Sequence, residues 1–86
     1  MFVIDEVKEQ QKKIFAYMNY VEKLEIKLFY ERNRTSKTEY EKNENEISII
    51  ITEIKLNKIK ATLDYLIVEH NESLKYLVSL SNEENE

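Results

Sequence analysis

The chain has no glycine and no proline in its 86 residues. Glycine supplies the positive φ angles of tight turns, and Rossmann loops, P-loops and nucleophile elbows all depend on it. Its absence excludes most hairpin turns and most nucleotide-binding motifs. Long helices joined by a polar connection remain, so the sequence predicts an all-α fold.

The length of the chain limits the core that it can build. A domain of this size buries only about 60% of the surface of its unfolded chain. Cysteine is absent, and His70 is the only histidine, so disulfides, thiolate metal sites and multi-histidine zinc sites are excluded within one chain. We therefore expect no metal and no cofactor, and we expect association with another chain to add stability.

The first third of the chain carries a heptad pattern, in which apolar residues alternate at spacings of four and three. This pattern predicts one long helix of coiled-coil type, with Gln10 as its only polar member. A second apolar stripe lies beside it, so the helix can contact two neighbours in a bundle. The seam consists of Val3, Val7, Gln10, Ile14, Tyr17, Val21, Leu24 and Leu28, and the stripe of Ile4, Phe15, Met18 and Phe29.

The segment after this helix contains the turn-forming residues of the first half. We expect the helix to end near Arg32 and a turn to occupy residues 33–36. Ser36 and Glu39 have the spacing of a capping box, in which each side chain accepts a hydrogen bond from the backbone amide of the other. A short connection makes the flanking helices antiparallel neighbours, so the predicted fold is an antiparallel helical hairpin.

The second half repeats the heptad pattern and carries its own second stripe. The run 49–52 is rich in β-branched residues and could favour a strand, but no partner strand is evident, and we predict helix there. Residues 43–46 could bend or restart the helix. The seam contains Leu56, Ile59, Leu63, Leu66, His70, Ser73 and Leu77, and the stripe contains Ile47, Ile51, Ile54, Ala61 and Val68.

A tight turn at residues 33–36 would align the two helices so that the N-terminal end of the first helix lies opposite Leu66 of the second. The apolar residues beyond that point would then need cover. Two solutions stay open: a short third helix after His70 and Asn71, or a second subunit that closes a dimeric helical bundle. We predict one helical domain over residues 1–80 and a disordered acidic tail over residues 81–86. The residues left without cover are Ile67, Val68, Leu74, Tyr76, Leu77, Val78 and Leu80.

Residues that could carry catalysis do not form a recognisable set. His70 has no evident nucleophile or substrate-polarising partner, and we interpret it as a helix-end residue at the rim of the apolar face. Ile67 stands three residues before His70, where a di-iron bundle would need glutamate. We therefore expect that the protein is not an enzyme.

Two groups of residues could contact a partner. Tyrosines suit a protein interface because one end is apolar and the other accepts water. The predicted partner interface is Tyr20, Tyr30, Tyr65, Tyr76, Leu77 and Leu80. The alternative is a nucleic-acid contact at the turn through Arg32, Arg34 and Lys37, although the chain has a net charge of −4.

These features predict a small non-enzymatic regulator or inhibitor that binds a protein through a helical surface. We expect a cytoplasmic protein that forms a homodimer and contacts neither membrane nor small molecule. A composition rich in isoleucine, asparagine, lysine and glutamate indicates an AT-rich genome, such as that of a phage, a plasmid or a bacterium. The alternatives are a helical nucleic-acid-binding dimer and a structural oligomerisation element.

Overall fold

The computed structural model describes residues 2–84 and contains two helices joined by a linker. Helix α1 spans Phe2–Arg32 and helix α2 spans Glu39–Glu84, and the two pack against each other as an antiparallel hairpin. The predicted all-α hairpin is confirmed, and so is the end of the first helix at Arg32. The β-branched run 49–52 lies inside α2, as predicted, because its residues continue the helical seam.

The two predicted seams meet along the hairpin and form the inner seam. Every described residue of both seams is buried or half-buried, including the polar residues Gln10, His70 and Ser73. The inner seam also extends further than predicted, through Glu31 on α1 and through Thr52 and Asn45 on α2. Its most buried apolar cluster lies towards the linker and consists of Leu24, Leu28 and Leu56, with Val21, Ile49 and Ile59 packed against it.

The alignment of the helices differs from the one that a tight turn would give. Glu31 contacts Ser48 and Thr52, and Gln10 contacts Ser73, so α1 accompanies α2 far beyond Leu66. The cause is the linker, which covers residues 33–38 and runs beside the first turns of α2 instead of turning back at once. The prediction that apolar residues after Leu66 extend beyond α1 is therefore wrong; residues 39–44 extend beyond it instead.

The short third helix, one of the two solutions left open by the sequence, does not form, because α2 passes through His70 and Asn71 without interruption. The helix keeps its contacts with α1 in this region, since His70 and Ser73 each hydrogen-bond to Gln10. Asparagine costs a helix only a few tenths of a kcal/mol relative to most residues, which these contacts offset. Helix α2 also includes residues 81–84 of the segment predicted as a tail, while residues 85–86 lie outside the described part.

The cap of α2 lies two residues later than predicted. The Glu41 amide donates to Thr38 Oγ1 over 3.1 Å, and the Lys37 amide donates to Glu41 Oε2 over 2.9 Å. The N-cap is therefore Thr38 and not Ser36, and Glu41 reaches back to the amide of Lys37, one residue before the cap. The observed pair and the predicted pair of Ser36 and Glu39 both have a spacing of three, and because the linker extends to residue 38 and not to residue 36, the later pair stands at the start of α2.

Candidate functional site

The end of the inner seam nearest the linker is centred on a buried carboxylate. Ser48 Oγ donates to Glu31 Oε2, and Thr52 Oγ1 donates to Glu31 Oε1 over 2.7 Å. Asn45 Nδ2 donates to the Glu31 carbonyl over 2.8 Å, which occupies an acceptor at the end of α1. Thr52 is 1% exposed and Glu31 is 9% exposed. We call Glu31, Asn45, Ser48 and Thr52 the linker-end layer.

The hydrogen bonds of this layer keep Glu31 charged. Burial by itself raises the pKa of a carboxyl group, because it penalises the ionised form. The hydroxyl groups of Ser48 and Thr52 lower the pKa by hydrogen-bonding to the ionised carboxylate, and the positive charges of Lys27 and Arg34 lower it further. Together they outweigh burial, so the pKa of Glu31 lies below its ordinary value. The layer therefore holds an anion between two helices near neutral pH.

A second polar layer interrupts the inner seam three heptads earlier on α1. Gln10 is 7% exposed, and its Nε2 donates to Ser73 Oγ over 3.0 Å. His70 Nδ1 lies 3.1 Å from Gln10 Oε1, and because an amide oxygen only accepts, Nδ1 carries the proton. We call Gln10, His70 and Ser73 the open-end layer. His70 is half-buried in the middle of α2, which corrects its interpretation as a helix-end residue.

Both layers form hydrogen bonds between α1 and α2, so their polar groups are engaged within the hairpin and not available to a partner. Within residues 2–84 no three histidine, aspartate or glutamate side chains cluster closely enough to hold a metal ion. The same part of the chain leaves Asn45 Oδ1 buried without a hydrogen-bond partner. These layers set the pairing of α1 with α2, and the surfaces available to a partner lie outside the seam.

Sequence reasoning missed all four members of the linker-end layer. Glu31 follows Leu28 by three residues, so extending the heptad spacing one step would have placed it on the inner seam. Thr52 was considered only as the end of the β-branched run 49–52, Asn45 only as part of a possible bend at 43–46, and Ser48 was not singled out. A charged residue at a seam position, matched by hydroxyl residues on the other seam, is the signal that finds such a layer.

One edge of the hairpin changes character along its length. Near the linker, Arg32 pairs with Glu53 over 2.7 Å and Lys60 pairs with Glu25 over 3.2 Å. These pairs are one heptad apart on both helices, so the same alignment places Met18 opposite Ile67 another heptad along. The edge is thus ionic at the linker end and apolar towards the open end.

The apolar part of this edge continues onto the neighbouring positions of both helices. Phe15 is 58% exposed and Val78 is 59% exposed, which is far more than a helical hairpin needs to leave in water. Leu74 and Val78 also line a shallow groove with Asn71 and Lys75. We call the exposed apolar residues of this surface the open-end patch, which consists of Ile4, Phe15, Met18, Ile67, Leu74 and Val78.

A second exposed apolar surface lies on the side of α2 that faces away from α1. The predicted stripe of α2 lies here, and Tyr65 and Lys58 fill its two gaps in the same alternation of four and three. All of its members are exposed. We call this surface the outer seam, and its residues are Ile47, Ile51, Ile54, Lys58, Ala61, Tyr65 and Val68.

The structure divides the predicted partner interface between the surface and the inner seam. Tyr20, Tyr30, Tyr65 and Tyr76 are exposed. Leu77 and Leu80 are half-buried on the inner seam, since α1 reaches this part of α2. Tyr76 lines a shallow groove with Val3 and Glu6 on the edge opposite the ion pairs, and Tyr20 follows Glu6 by two heptads on that edge.

The basic residues of the predicted turn have acidic neighbours. Arg32 pairs with Glu53, and Arg34 lines a shallow groove together with Glu41 and Glu44. Lys37 is exposed, and its amide is bound to the Glu41 carboxylate. The positive field of the turn is therefore reduced by the carboxylates around it.

The chain matches no protein-family model, no curated protein and no solved structure. Neither helix, over the described residues, is long and apolar enough to cross a membrane. The exposed surfaces of the hairpin are therefore the features that can indicate a function.

Proposed function

We propose that this protein is a small non-enzymatic regulator or inhibitor that works in the cytoplasm by binding a protein target through the open-end patch. The observation that carries the proposal is the exposure of large apolar side chains from both helices on one edge. Several large apolar side chains exposed on one edge are typical of a protein-binding site, whereas scattered apolar residues are ordinary. The two polar layers support the role, because they fix the helices that present this surface.

The patch favours an apolar helix of the target as its ligand. It runs along two parallel ridges, with Met18 on one helix and Ile67 on the other, and a helix can lie along the shallow depression between such ridges. Phe15 supplies a rigid aromatic side chain of the kind that contributes strongly to binding at interfaces. Binding would occlude the corresponding surface of the target, which is how a protein without catalytic groups can inhibit.

The alternative function, nucleic-acid binding through Arg32, Arg34 and Lys37, has weaker support. Arg32 and Arg34 lie beside carboxylates, and an exposed ion pair at this site would have to be broken before phosphate could bind. Phosphate-driven binding also falls steeply between about 50 and 200 mM salt, whereas apolar helix docking changes little. Salt therefore separates the two functions experimentally.

The test is a pull-down of the tagged protein from host lysate, washed at low and at high salt, with three matched variants. We expect the target to be retained at high salt by wild type and to be lost by Phe15→Glu/Val78→Glu. Tyr20→Ser/Tyr76→Ser tests the tyrosine edge, and Tyr40→Ser alters an exposed aromatic residue near the linker as a control. Circular dichroism establishes that each variant keeps its helices.

Retention of the target by the Phe15→Glu/Val78→Glu variant would contradict the proposal. Loss with the tyrosine variant alone would move the site to the opposite edge of the hairpin. Recovery of nucleic acid that is released at high salt would favour the basic turn.

A further inference from the structure

The outer seam repeats, on the far side of α2, the spacing that joins α1 and α2 on the inner seam. Its residues follow one another at intervals of four and three over three heptads, and all but Lys58 are apolar. Each is exposed, with Ile54 at 50% and Val68 at 58%. A heptad seam of this length is the signature of a helix that packs against another helix, and α1 already occupies the opposite side of α2.

We infer that the outer seam binds a second copy of this chain, with the two α2 helices antiparallel about a twofold axis near residues 59–60. The occupant follows from the complementarity of the seam with itself in this orientation. The outer seam would thus be the interface of the predicted homodimer, and it is separate from the open-end patch.

The antiparallel alignment places apolar residues opposite apolar residues over the central part of the seam, while Ile47 at its end lies opposite Glu72 of the second copy. Ile51 faces Val68 of the second copy, and Ile54 faces Tyr65 of the second copy, each twice because of the symmetry. Lys58 faces Ala61 of the second copy near the axis. The small alanine leaves room for the lysine stem to lie on the interface while its ammonium group reaches solvent.

The residues that flank the outer seam are complementary in the same alignment. Lys55 lies opposite Glu69 of the second copy, and Asn57 lies opposite Asp64 of the second copy, again twice each. Opposite charges at flanking positions set the partner and the orientation of coiled-coil helices. One alignment therefore satisfies both the seam and its flanks.

Other arrangements of the same surface bring like charges together or place charged residues on apolar ones. In a parallel dimer, Lys58 would face Lys58 of the second copy, and Asp64 would flank Glu69 of the second copy. An antiparallel dimer shifted by one heptad either places Lys58 on Ile54 or brings Asp64 against Asp64 of the second copy. Juxtaposed like charges cost several kcal/mol at an interface, and Ile54 leaves less room than Ala61 for the lysine stem, so the alignment with its axis near residues 59–60 is the most favourable of those compared.

The first test is the mass of the full chain in solution by sedimentation velocity at micromolar concentration. We expect a dimer for wild type and a monomer for Ile54→Glu. Ile26→Glu is the matched control and should remain dimeric, because Ile26 is also 50% exposed but lies on α1. A monomeric wild type, or dimers of both variants, would overturn the inference.

Charge reversal tests the orientation. Lys55→Glu and Glu69→Lys should each weaken the dimer about tenfold or more, because each creates two like-charge pairs across the interface. The double variant restores both pairs with reversed sign and should recover the wild-type affinity. A double variant as weak as the single ones would overturn the antiparallel alignment.

Cysteine cross-linking tests the position of the axis without depending on affinity. Ala61 lies on the seam beside the axis, so the two copies of Ala61→Cys should be joined by a short thiol-specific cross-linker, and the chain has no native cysteine to interfere. Ile54→Cys should not cross-link, since residue 54 faces residue 65 of the second copy. Cross-linking of the Ile54→Cys variant would indicate a parallel dimer and would overturn the inference.

Discussion

The linker-end layer and the open-end layer occupy equivalent positions on the inner seam but differ in charge and burial. At the linker end, the Glu31 carboxylate accepts two hydroxyl groups, and Thr52 is almost completely buried. At the open end, neutral Gln10 bonds to His70 and Ser73, which are both half-buried. An unsatisfied charge costs far more than an unsatisfied amide, so the linker-end layer contributes more to the choice of alignment.

The comparison also shows how two similar seams avoid slipping past each other. A shift of one heptad would replace Ser48 and Thr52 by Lys55 and Ile59, or by Glu41 and Asn45, so Glu31 would lose its two hydroxyl donors. The same shift would move Gln10 away from Ser73, but water could reach the half-buried groups. Apolar seam residues tolerate such a shift, whereas one charged residue with dedicated donors does not.

The largest expected effect comes from removing the donors of Glu31. We expect Ser48→Ala/Thr52→Val to lower the free energy of unfolding by about 3 kcal/mol, because hydrogen bonds to charged groups contribute about 1.5–3 kcal/mol each. Urea denaturation measures the change. Thr62→Val is the control. Thr52 Oγ1 lies 2.9 Å from the Ser48 carbonyl oxygen, and Thr62 Oγ1 bonds the Lys58 carbonyl in the same way over 3.1 Å, but Thr62 is exposed, and we expect a change below about 0.5 kcal/mol.

Equal losses in the double variant and in the control would show that the carboxylate is solvated and does not depend on its two donors.

Acidification should weaken the linker-end layer next most strongly. The pKa of Glu31 is lower in the folded chain than its ordinary value of 4.5, so the unfolded chain takes up the proton more readily. The stabilisation is complete above that ordinary value and is lost as the pH falls through the folded pKa. We therefore expect the stability difference between wild type and Glu31→Gln to shrink on acidification, as measured by urea denaturation at a series of pH values.

A difference that grows as the pH falls would mean that Glu31 is more easily protonated in the folded chain, contrary to its hydrogen bonds. The other carboxyl groups are common to both proteins, so their titration cancels in this comparison.

The smallest effect is expected at the open end. Gln10→Leu should change the free energy of unfolding by less than about 1 kcal/mol, because added apolar burial offsets the lost hydrogen bonds and water can reach His70 and Ser73. Urea denaturation provides the measurement, and Gln11→Leu, a neighbouring exposed position, is the control. A loss as large as that of the Ser48→Ala/Thr52→Val variant would show that the two layers are equivalent.

Local spacing predicted the parts of this fold that depend on single helices. The seam from Val3 to Leu28 and the seam from Leu56 to Leu77 were both found, because burial along a helix repeats with the heptad. The alignment of the helices was not found, since it depends on the path of residues 33–38 and on the match between Glu31 and Thr52. Such matches join residues far apart in the chain, and spacing within one helix does not reveal them.

The surfaces were predicted less well than the core. Tyrosine content singled out Tyr20, Tyr30, Tyr65 and Tyr76, and the structure shows them exposed but spread over different sides of the hairpin. The open-end patch required the alignment of α1 with α2 before Met18 could be placed opposite Ile67. The outer seam could be read from α2 alone, but its exposure became clear only when the inner seam was assigned to the other side.

The offset created by the linker also determines the order in which the hairpin can close. Glu31 and Asn45 are the interhelical hydrogen-bond partners nearest in sequence, whereas Gln10 and Ser73 are the most distant. Closing a short loop costs less entropy than closing a long one, so we expect folding to start at the linker and to proceed towards the open end. The free end of α1 should therefore open first in native-state hydrogen exchange, which would separate Ile4 and Phe15 from Leu74 and Val78 long before the hairpin unfolds as a whole.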